Sequence, residues 1–466
     1  MKKIIKKIVA ICCAVVAFAS MSACELSLSA YDIAVKNGYQ GTEVEWLASL
    51  HGKDGKDGQD ATSLTAADLY KTAVEKGYEG SYLDFCRDVL NVDVSKMDEM
   101  EKVSQNLTSV VSINSGFLTI SRDWKGNIKK EAAYSAGSGV IIDLDKETGD
   151  ALIATNYHVV YAKGSSEANG ISPAIWVYGY GSLTGGFSYG NDVFYDSFDE
   201  GVQATYVGGA MDYDIAILEI KGSEYIKNSI FTEAEIGDSD EIRKGGKVYV
   251  IGNPNDGGIS ITEGIISVES EHIEMESLDG AREVSFRVIR TDAAINGGNS
   301  GGGLFNKDGQ LIGIVNAKNV QSQVESMGYA LPVTKVKNLC ENILYNKRMN
   351  GSGSAKVAKL GVMSTISKSK AYYDEEGALR IMEEITLTEV AAGYAAQNIL
   401  HVGDVIKEIK VGDGEWFVIK KQYQIADHLL LTKLGDTVQI KLVTESGEEK
   451  TVSIVFNSSS YFTEYA

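Results

Sequence analysis

Residues 295–306, INGGNSGGGLFN, set a single serine, Ser300, in a run of glycines that neither a packed helix nor a regular strand favours. A backbone that free can turn consecutive N–H groups toward one point. A serine held beside such a point suits acyl transfer, provided that a base takes its proton, a carboxylate orients the base, and the N–H groups receive the oxyanion. Here Gly298 and Ser300 would supply those N–H groups, with glycine at 298 allowing the turn.

The stretch Gly298 to Gly302 also fits G-x-S-x-G, the strand-to-helix elbow of α/β-hydrolases, so it does not decide the fold alone. Chain order does. An α/β-hydrolase places its acid and then its histidine after the serine, whereas the only later histidines, His401 and His428, fall where the sequence reads as another domain. Upstream, ATNYHVV (154–160) carries His158 at the end of an apolar run, and DYDIAIL (212–218) carries Asp214 directly before another. Either residue alone would read as a rim histidine or a strand cap. In the order histidine, aspartate, serine they read as a catalytic triad, with Asp212 the nearest competitor for the acid.

The flanking texture is β-rich. SGVIID, DALIATNYHV, DIAILEI, KVYVIGN, ISITEGIISV, VSFRVIRTD and LIGIVNA are short apolar runs broken by turn residues, which predicts barrels rather than alternating strand-helix units. No phosphate loop or GxGxxG stands between a strand and a helix. The five histidines form no metal-binding spacing, so neither cofactor nor metal is expected. A net charge of −20 over 466 residues argues against nucleic-acid binding, and 44% hydrophobic content predicts two or three packed domains.

ATNYHVV, DYDIAIL, VIGNPNDGGISITEGIIS (250–267), RTDAAINGGNSGGGLFN (290–306) and GYALPV (328–333) resemble, in matching order across residues 130 to 335, the segments of the HtrA/Deg serine proteases. The resemblance implies a chymotrypsin-like double β-barrel over residues 105–348, a mainly β chain, and a serine endopeptidase acting on unfolded proteins. In it His158 is the general base, Asp214 its orienting partner, Ser300 the nucleophile, and the Gly298 and Ser300 N–H groups the oxyanion hole. Members assemble as trimers or multiples of them, which implies a homo-oligomer. The chain departs from the family in having glycine at 297 and 303, where proline is usual. Six residues before the nucleophile, where trypsin-like enzymes that cut after Lys or Arg keep an aspartate, stands Ala294; with Ile295 it is expected to line an apolar S1 pocket. The span Tyr161 to Gly209 reads as a long surface loop.

Past GSGSAKVAK (351–359) the pattern resets. KLGVMST, HVGDVIKEI, QYQIADHLLLTKL and GDTVQIKLVTESGEEKTVSIVF resemble a PDZ domain over residues 355–458, in which the backbone of Leu360, Gly361 and Val362 would cradle the carboxylate of a chain end.

At the other end, MKKIIKKIVAICCAVVAFASMSAC reads as a secretory signal over 1–23 and resembles a bacterial lipoprotein signal, with Cys24 as the lipidated residue and a membrane-anchored position in the cell envelope; an uncleaved apolar anchor is the alternative. Between 24 and 100 a unit repeats: YDIAVKNGYQGTEVEWLASL (within 30–50) returns as YKTAVEKGYEGSYLDFCRDVL (within 69–90), each reading as helix, glycine turn and helix, joined by the polar hinge GKDGKDGQD (52–60). A rival function from another class is a degenerate protease fold serving as a peptide-binding scaffold. Esterase chemistry would use the same serine.

Overall fold

The computed structural model describes residues 98–465 apart from 126, 318–326 and 375–376, together with Leu69, Ala73, Phe85, Val89 and Leu90 upstream. The signal segment, Cys24, the first repeat and the polar hinge lie outside the described residues. Of the second repeat, Leu69, Ala73 and Phe85 are helical, and Phe85 is buried.

Residues from Asp98 onward form one compact unit, which begins earlier than the expected boundary at 105. A reciprocal capping box explains the start: Asp98 accepts from the Glu101 N–H and Glu101 from the Asp98 N–H, opening helix α1 (Glu99–Ser104). Val103 of α1 is fully buried, and Asn106 just beyond it donates to the Gly309 carbonyl at 2.7 Å.

The first closed barrel takes strands β1 (Val110–Arg122), β2 (Ile128–Asp145), β3 (Asp150–Thr155), β4 (Ala174–Tyr178), β7 (Val202–Ala210) and β8 (Ile215–Ile220), in the order β1-β2-β3-β8-β7-β4. A short helix α2 (Tyr157–Val160) follows β3, and a hairpin of β5 (Phe187–Gly190) and β6 (Val193–Asp196) stands between β4 and β7. The span Tyr161 to Gly209 is therefore not simply a surface loop. Its AIWVY stretch pairs with β1 and β7 to close the barrel, because Ala174, Ile175, Val177 and Tyr178 are apolar enough to be buried there.

Helix α3 (Glu224–Asn228) leads to the second closed barrel: β9 (Lys247–Gly252), β10 (Ser260–Glu276), β11 (Glu283–Thr291), β12 (Gly303–Asn306), β13 (Leu311–Asn316) and β14 (Gly328–Pro332), in the order β10-β11-β14-β13-β12-β9. Its strands read as nearly continuous apolar runs, VYVIG and LIGIVN among them, since they are covered on both faces. Helix α4 (Val333–Asn350) follows, burying Val333, Val336, Leu339, Cys340 and Ile343 and ending on Gly351 at φ 75°.

Beyond it, β15 (Ala355–Ala358) pairs with the last strand, β22 (Phe462–Tyr465), so the C-terminal unit runs past residue 458. Between these lie β16 (Val362–Tyr373), β17 (Leu379–Val390), β18 (Val405–Val411), β19 (Phe417–Val418), helix α5 (Tyr423–Leu429), β20 (Thr437–Val443) and β21 (Glu449–Val455). The sheet order is β16-β17-β18-β20-β21, with β19 beside β18. It has its own core around Ile385, Ile406, Ile409, Ile440, Ile454 and Phe456.

Helix α5 is locked to the second barrel by buried charge. Arg287 of β11, 1% exposed, donates to Asp427 Oδ2 at 2.7 Å, and its guanidinium stacks 3.7 Å from the Tyr423 ring. Asn338 and Asn342, one turn apart on α4, donate to the carbonyls of Asp427 and Leu430 at 2.9 and 2.6 Å. Asp240 completes the cluster, 3.7 Å from Arg287 and accepting from Gln424 Nε2 at 3.1 Å. Burial outweighs that attraction and pushes the Asp240 carboxyl up from 3.8 to about 6.

A carboxyl whose folded-state value is raised stabilises the fold while protonated. That contribution is complete below its ordinary value and is lost as pH rises through about 6. Asp240→Asn removes the loss. The stability difference between variant and unaltered chain is expected to move in the variant's favour between about pH 4 and pH 7, by at most roughly 3 kcal/mol. Thermal melts of both proteins across that range measure it, and a difference that ignores pH would refute it.

Candidate active site

The candidate site lies where the two barrels meet. Thr155 ends β3 and the chain turns into α2, which is held by burial of Tyr157, Val159 and Val160 and presents His158 between them. Asp214 lies at the corner between β7 and β8, just after a 3-10 turn, Met211–Tyr213, and takes φ 52°, ψ 42°. Left-handed backbone at a non-glycine residue costs on the order of 1 kcal/mol, and aspartate tolerates it better than most. Here that backbone turns a 1% exposed carboxylate beneath the histidine ring.

His158 Nδ1 lies 2.7 Å from Asp214 Oδ2, and the His158 backbone N–H donates to Asp214 Oδ1 at 2.9 Å. Both carboxylate oxygens are thereby engaged by one residue, fixing the ring's height and tilt. Two side chains not singled out in the sequence complete this shell. Asn316 Nδ2 donates to Asp214 Oδ2 at 2.9 Å, and Asn156 Nδ2 to the Asp214 carbonyl at 3.0 Å. Asp212, the competing acid, instead forms an ion pair with Arg282.

Ser300, 5% exposed, follows a tight backbone path. Gly298 sits at φ 96°, and a β-carbon there would come 2.2 Å from the Asn253 carbonyl oxygen. Only glycine fits. Neighbouring N–H groups are engaged: Asn299 donates to the Asn296 carbonyl, Gly301 to Val315 and Gly302 to Asn299. The Gly298 and Ser300 N–H groups donate to no backbone carbonyl among the described residues. A cleft of about 460 Å³ opens over this point, lined by His158, Gly297, Gly298 and Ser300 with Ala136, Tyr161, Lys163, Leu278 and Ala317.

His158 and Ser300 share that cleft without a hydrogen bond between them; Ser300 Oγ accepts from the Ala317 N–H at 3.3 Å. Catalytic hydrogen bonds in unliganded sites are commonly longer than in the substrate complex. The residues expected to form S1 are not in this cleft. Ile295 is 7% exposed and packs in the barrel core with Ile289, Val315 and Ala330, while Ala294 is exposed and its carbonyl accepts from Thr262. The glycines standing where proline is usual differ in setting: a β-carbon at 297 would meet open space, one at 303 the Phe305 ring. Among the described residues no three His, Cys, Asp or Glu side chains are grouped to hold a metal.

One further residue ties the site together. Ser138, fully buried on β2 of the first barrel, donates from its N–H to the Ser300 carbonyl at 2.7 Å and from its hydroxyl to the Gly298 carbonyl at 2.7 Å. Its hydroxyl also accepts from the Asn253 N–H at 2.8 Å, and its own carbonyl accepts from Thr155 Oγ1 at 2.7 Å. The only sequence signal was a serine among small residues, SAGSG, at the start of an apolar strand.

Ser138→Ala would leave the Asn253 N–H and Gly298 carbonyl without this partner, at about 1–3 kcal/mol for each group left unsatisfied. A lower melting temperature is expected, together with a fall of roughly tenfold or more in kcat/KM on an ester reporter as the Gly298 turn loosens. Thermal melts and steady-state kinetics test this. Unchanged kcat/KM would show that the turn is held without Ser138.

A family model for the trypsin-like peptidase domain matches residues 137–314, a span that begins one residue before Ser138 and contains His158, Asp214 and Ser300. The chain is 30% identical over 380 residues to serine protease Do-like HtrA of Bacillus subtilis (strain 168), covering 78% of this chain and 73% of that protein. It is 28% identical over 394 residues to serine protease Do-like HtrA of Lactococcus lactis subsp. cremoris, covering 80% and 84%. Among solved structures, the HtrA-type protease AlgW with decapeptide aligns over 77% of this chain and 98% of its own at 22% identity and a TM-score of 0.44. With that length of shared sequence, the mainly β chain belongs to the HtrA family of trypsin-like serine proteases and is a serine endopeptidase.

Proposed function

We propose that Ser300 is the nucleophile, His158 the general base and Asp214 the residue that orients it. The observation that carries this reading is the doubly engaged carboxylate, Asp214 Oδ2 on His158 Nδ1 at 2.7 Å and Oδ1 on the His158 N–H at 2.9 Å, in the cleft that also holds Ser300. With Nδ1–H donating to Asp214, Nε2 is left unprotonated and free to take the Ser300 proton as Oγ bonds to the substrate carbonyl carbon. The resulting oxyanion is received by the Gly298 and Ser300 N–H groups. His158 then passes its proton to the leaving amine, the C–N bond breaks, and an acyl-enzyme remains for water to hydrolyse by the same route. No step needs a metal or cofactor.

Replacing Ser300 by alanine is expected to cost on the order of 10⁶ in kcat while the circular dichroism spectrum stays unchanged. Digestion of an unfolded casein with the products mapped by mass measures it, and comparable digestion by the variant would overturn the assignment. The same assay separates protein hydrolysis from esterase chemistry alone. Nothing favours a degenerate scaffold, since the relatives named above are serine proteases and no residue of this site is missing.

The C-terminal unit fits a PDZ domain that receives peptide chain ends. Leu360 and Gly361 lie just before β16, and their N–H groups donate to no backbone carbonyl among the described residues. Gly361 takes φ 77°, where a β-carbon would meet Tyr394 at 2.2 Å. With Val362 these residues would cradle a carboxylate. The substrates this arrangement suits are unfolded or mislocalised proteins of the cell envelope, where a lipid on Cys24 would hold the enzyme. Among the described residues no helix is long and apolar enough to cross a membrane. Cys24→Ala should move the protein from the membrane to the soluble fraction; retention at the membrane would replace the lipid with an uncleaved anchor.

A further inference from the structure

The C-terminal sheet ends on β16, which among the described residues leaves one edge of that strand without a neighbouring strand. Such an edge offers a row of main-chain donors and acceptors to any extended segment that can reach it. The first residues of β16 show which groups point outward. The Gly361 carbonyl accepts from the Ala391 N–H on the β17 side, Met363 pairs with Glu389, and Ser364 follows a register shift opposite Leu387. The Ser364 carbonyl is turned away from β17. There it is already occupied: Gln422 Nε2 donates to it at 2.7 Å and lies 3.0 Å from Ser364 Oγ.

Gln422 stands immediately before helix α5. Its backbone is held from the other side, the N–H donating to Glu383 Oε2 at 2.9 Å while Lys421 Nζ pairs with the same carboxylate at 3.3 Å. Among the described residues its side chain is what hydrogen-bonds the outward Ser364 carbonyl. A carboxamide N–H on a main-chain carbonyl is chemically what a peptide N–H would offer, but it hangs on three rotatable bonds and can be withdrawn without moving α5.

We propose that Gln422 is a latch on the outer edge of β16, occupying the Ser364 carbonyl until the N–H of an extended peptide with a free C-terminal carboxylate displaces it. The proposal rests on the reading of Leu360–Val362 as the carboxylate cradle. Ser364 lies two residues beyond Val362, so a strand anchored there by its carboxylate would bring a main-chain N–H to the Ser364 carbonyl. The latch keeps an otherwise bare edge from pairing indiscriminately. It also sets a threshold, because an incoming strand gains one hydrogen bond fewer than an open edge would give it.

The test uses the full chain carrying Ser300→Ala, so that nothing is cut. The probe is a dye-labelled decapeptide pool, randomised over its last four positions and ending in a free carboxylate, with a matched amidated pool, read by fluorescence anisotropy. Gln422→Met keeps the length and volume of the side chain and removes its donor; Gln422→Ala removes both. Each is expected to bind the acid pool roughly threefold to tenfold more tightly than the chain with Gln422, while discrimination against the amidated pool persists. Adding Gly361→Val should abolish that discrimination. Equal or weaker affinity in Gln422→Met with discrimination intact overturns the latch and leaves the cradle standing. Failure of every chain to distinguish acid from amide overturns the cradle and the latch with it.

Discussion

The site depends on a seam between two barrels, and the seam passes through one serine. Ser138 belongs to the first barrel, yet it makes three hydrogen bonds to the second: its N–H holds the Ser300 carbonyl, and its hydroxyl bridges the Gly298 carbonyl and the Asn253 N–H. His158 and Asp214 come from the first barrel, Ser300 from the second, so their relative positions depend on this contact together with the bond from Asn316 to Asp214. Thr155, whose hydroxyl holds the Ser138 carbonyl, lies three residues before His158 in the same chain segment. One unbroken set of hydrogen bonds therefore runs from the strand before the histidine to the turn that carries the serine. Each bond contributes about 1 kcal/mol net, but any group left unpaired inside the seam costs more than that, which makes the arrangement close to all-or-none.

The same comparison shows what a sequence can disclose. His158, Asp214 and Ser300, which the structure brings to one cleft, stand out in the sequence because each carries a local signature: an apolar strand ending in histidine, an aspartate before Ile-Ala, a serine among glycines. Strand texture also announced barrels. Ser138 and Asn316 were not legible, because a lone serine or asparagine at the end of an apolar run is a common surface or capping residue. What makes Asn316 a partner of Asp214 is the closure of both barrels, which brings together residues 102 positions apart. The stretch from Tyr161 to Gly209 misled for a related reason. Its glycines and tyrosines look like loop, and its barrel strand AIWVY is short enough to be lost among them. Counting back from the serine singles out Ala294, but distance along the chain does not say on which side of the wall it or its neighbour Ile295 faces, and Ile295 faces the barrel core.

The boundary with the C-terminal unit is another feature that single-chain patterning conceals. GSGSAKVAK looks like a flexible link, but the unit it introduces is fixed by Arg287, Asp427 and Asp240, buried groups drawn from three distant segments. Among the described residues Arg287 Nε and Nη1 have no hydrogen-bond partner, and the ring of Tyr423 covers the guanidinium face instead. Apolar residues of similar size would pack there at less cost in desolvation. What they would not supply is direction, since a buried arginine accepts a partner only where carboxylates lie in its plane and a ring on its face. The asparagines at 338 and 342 add to this. They lie four apart on α4, so they share one face, and both donate to main-chain carbonyls of the α5 segment.

Helix α5 thus has two occupations within a single short element. Tyr423, Gln424 and Asp427 face the protease barrels through Arg287 and Asp240, while Gln422, one residue earlier, reaches the edge of β16. A helix this short has too little internal hydrogen bonding to hold itself, so its position is set by those two sets of contacts together. β11, which carries Arg287, ends at Thr291, and the chain continues directly through Ile295 into the Gly298 turn. Arg287 therefore lies on the strand that leads into the Gly298 turn, so the α5 contacts and that turn share one stretch of chain. The contacts on the two sides of α5 are both directional, a guanidinium–carboxylate pair toward β11 and a carboxamide–carbonyl bond toward β16.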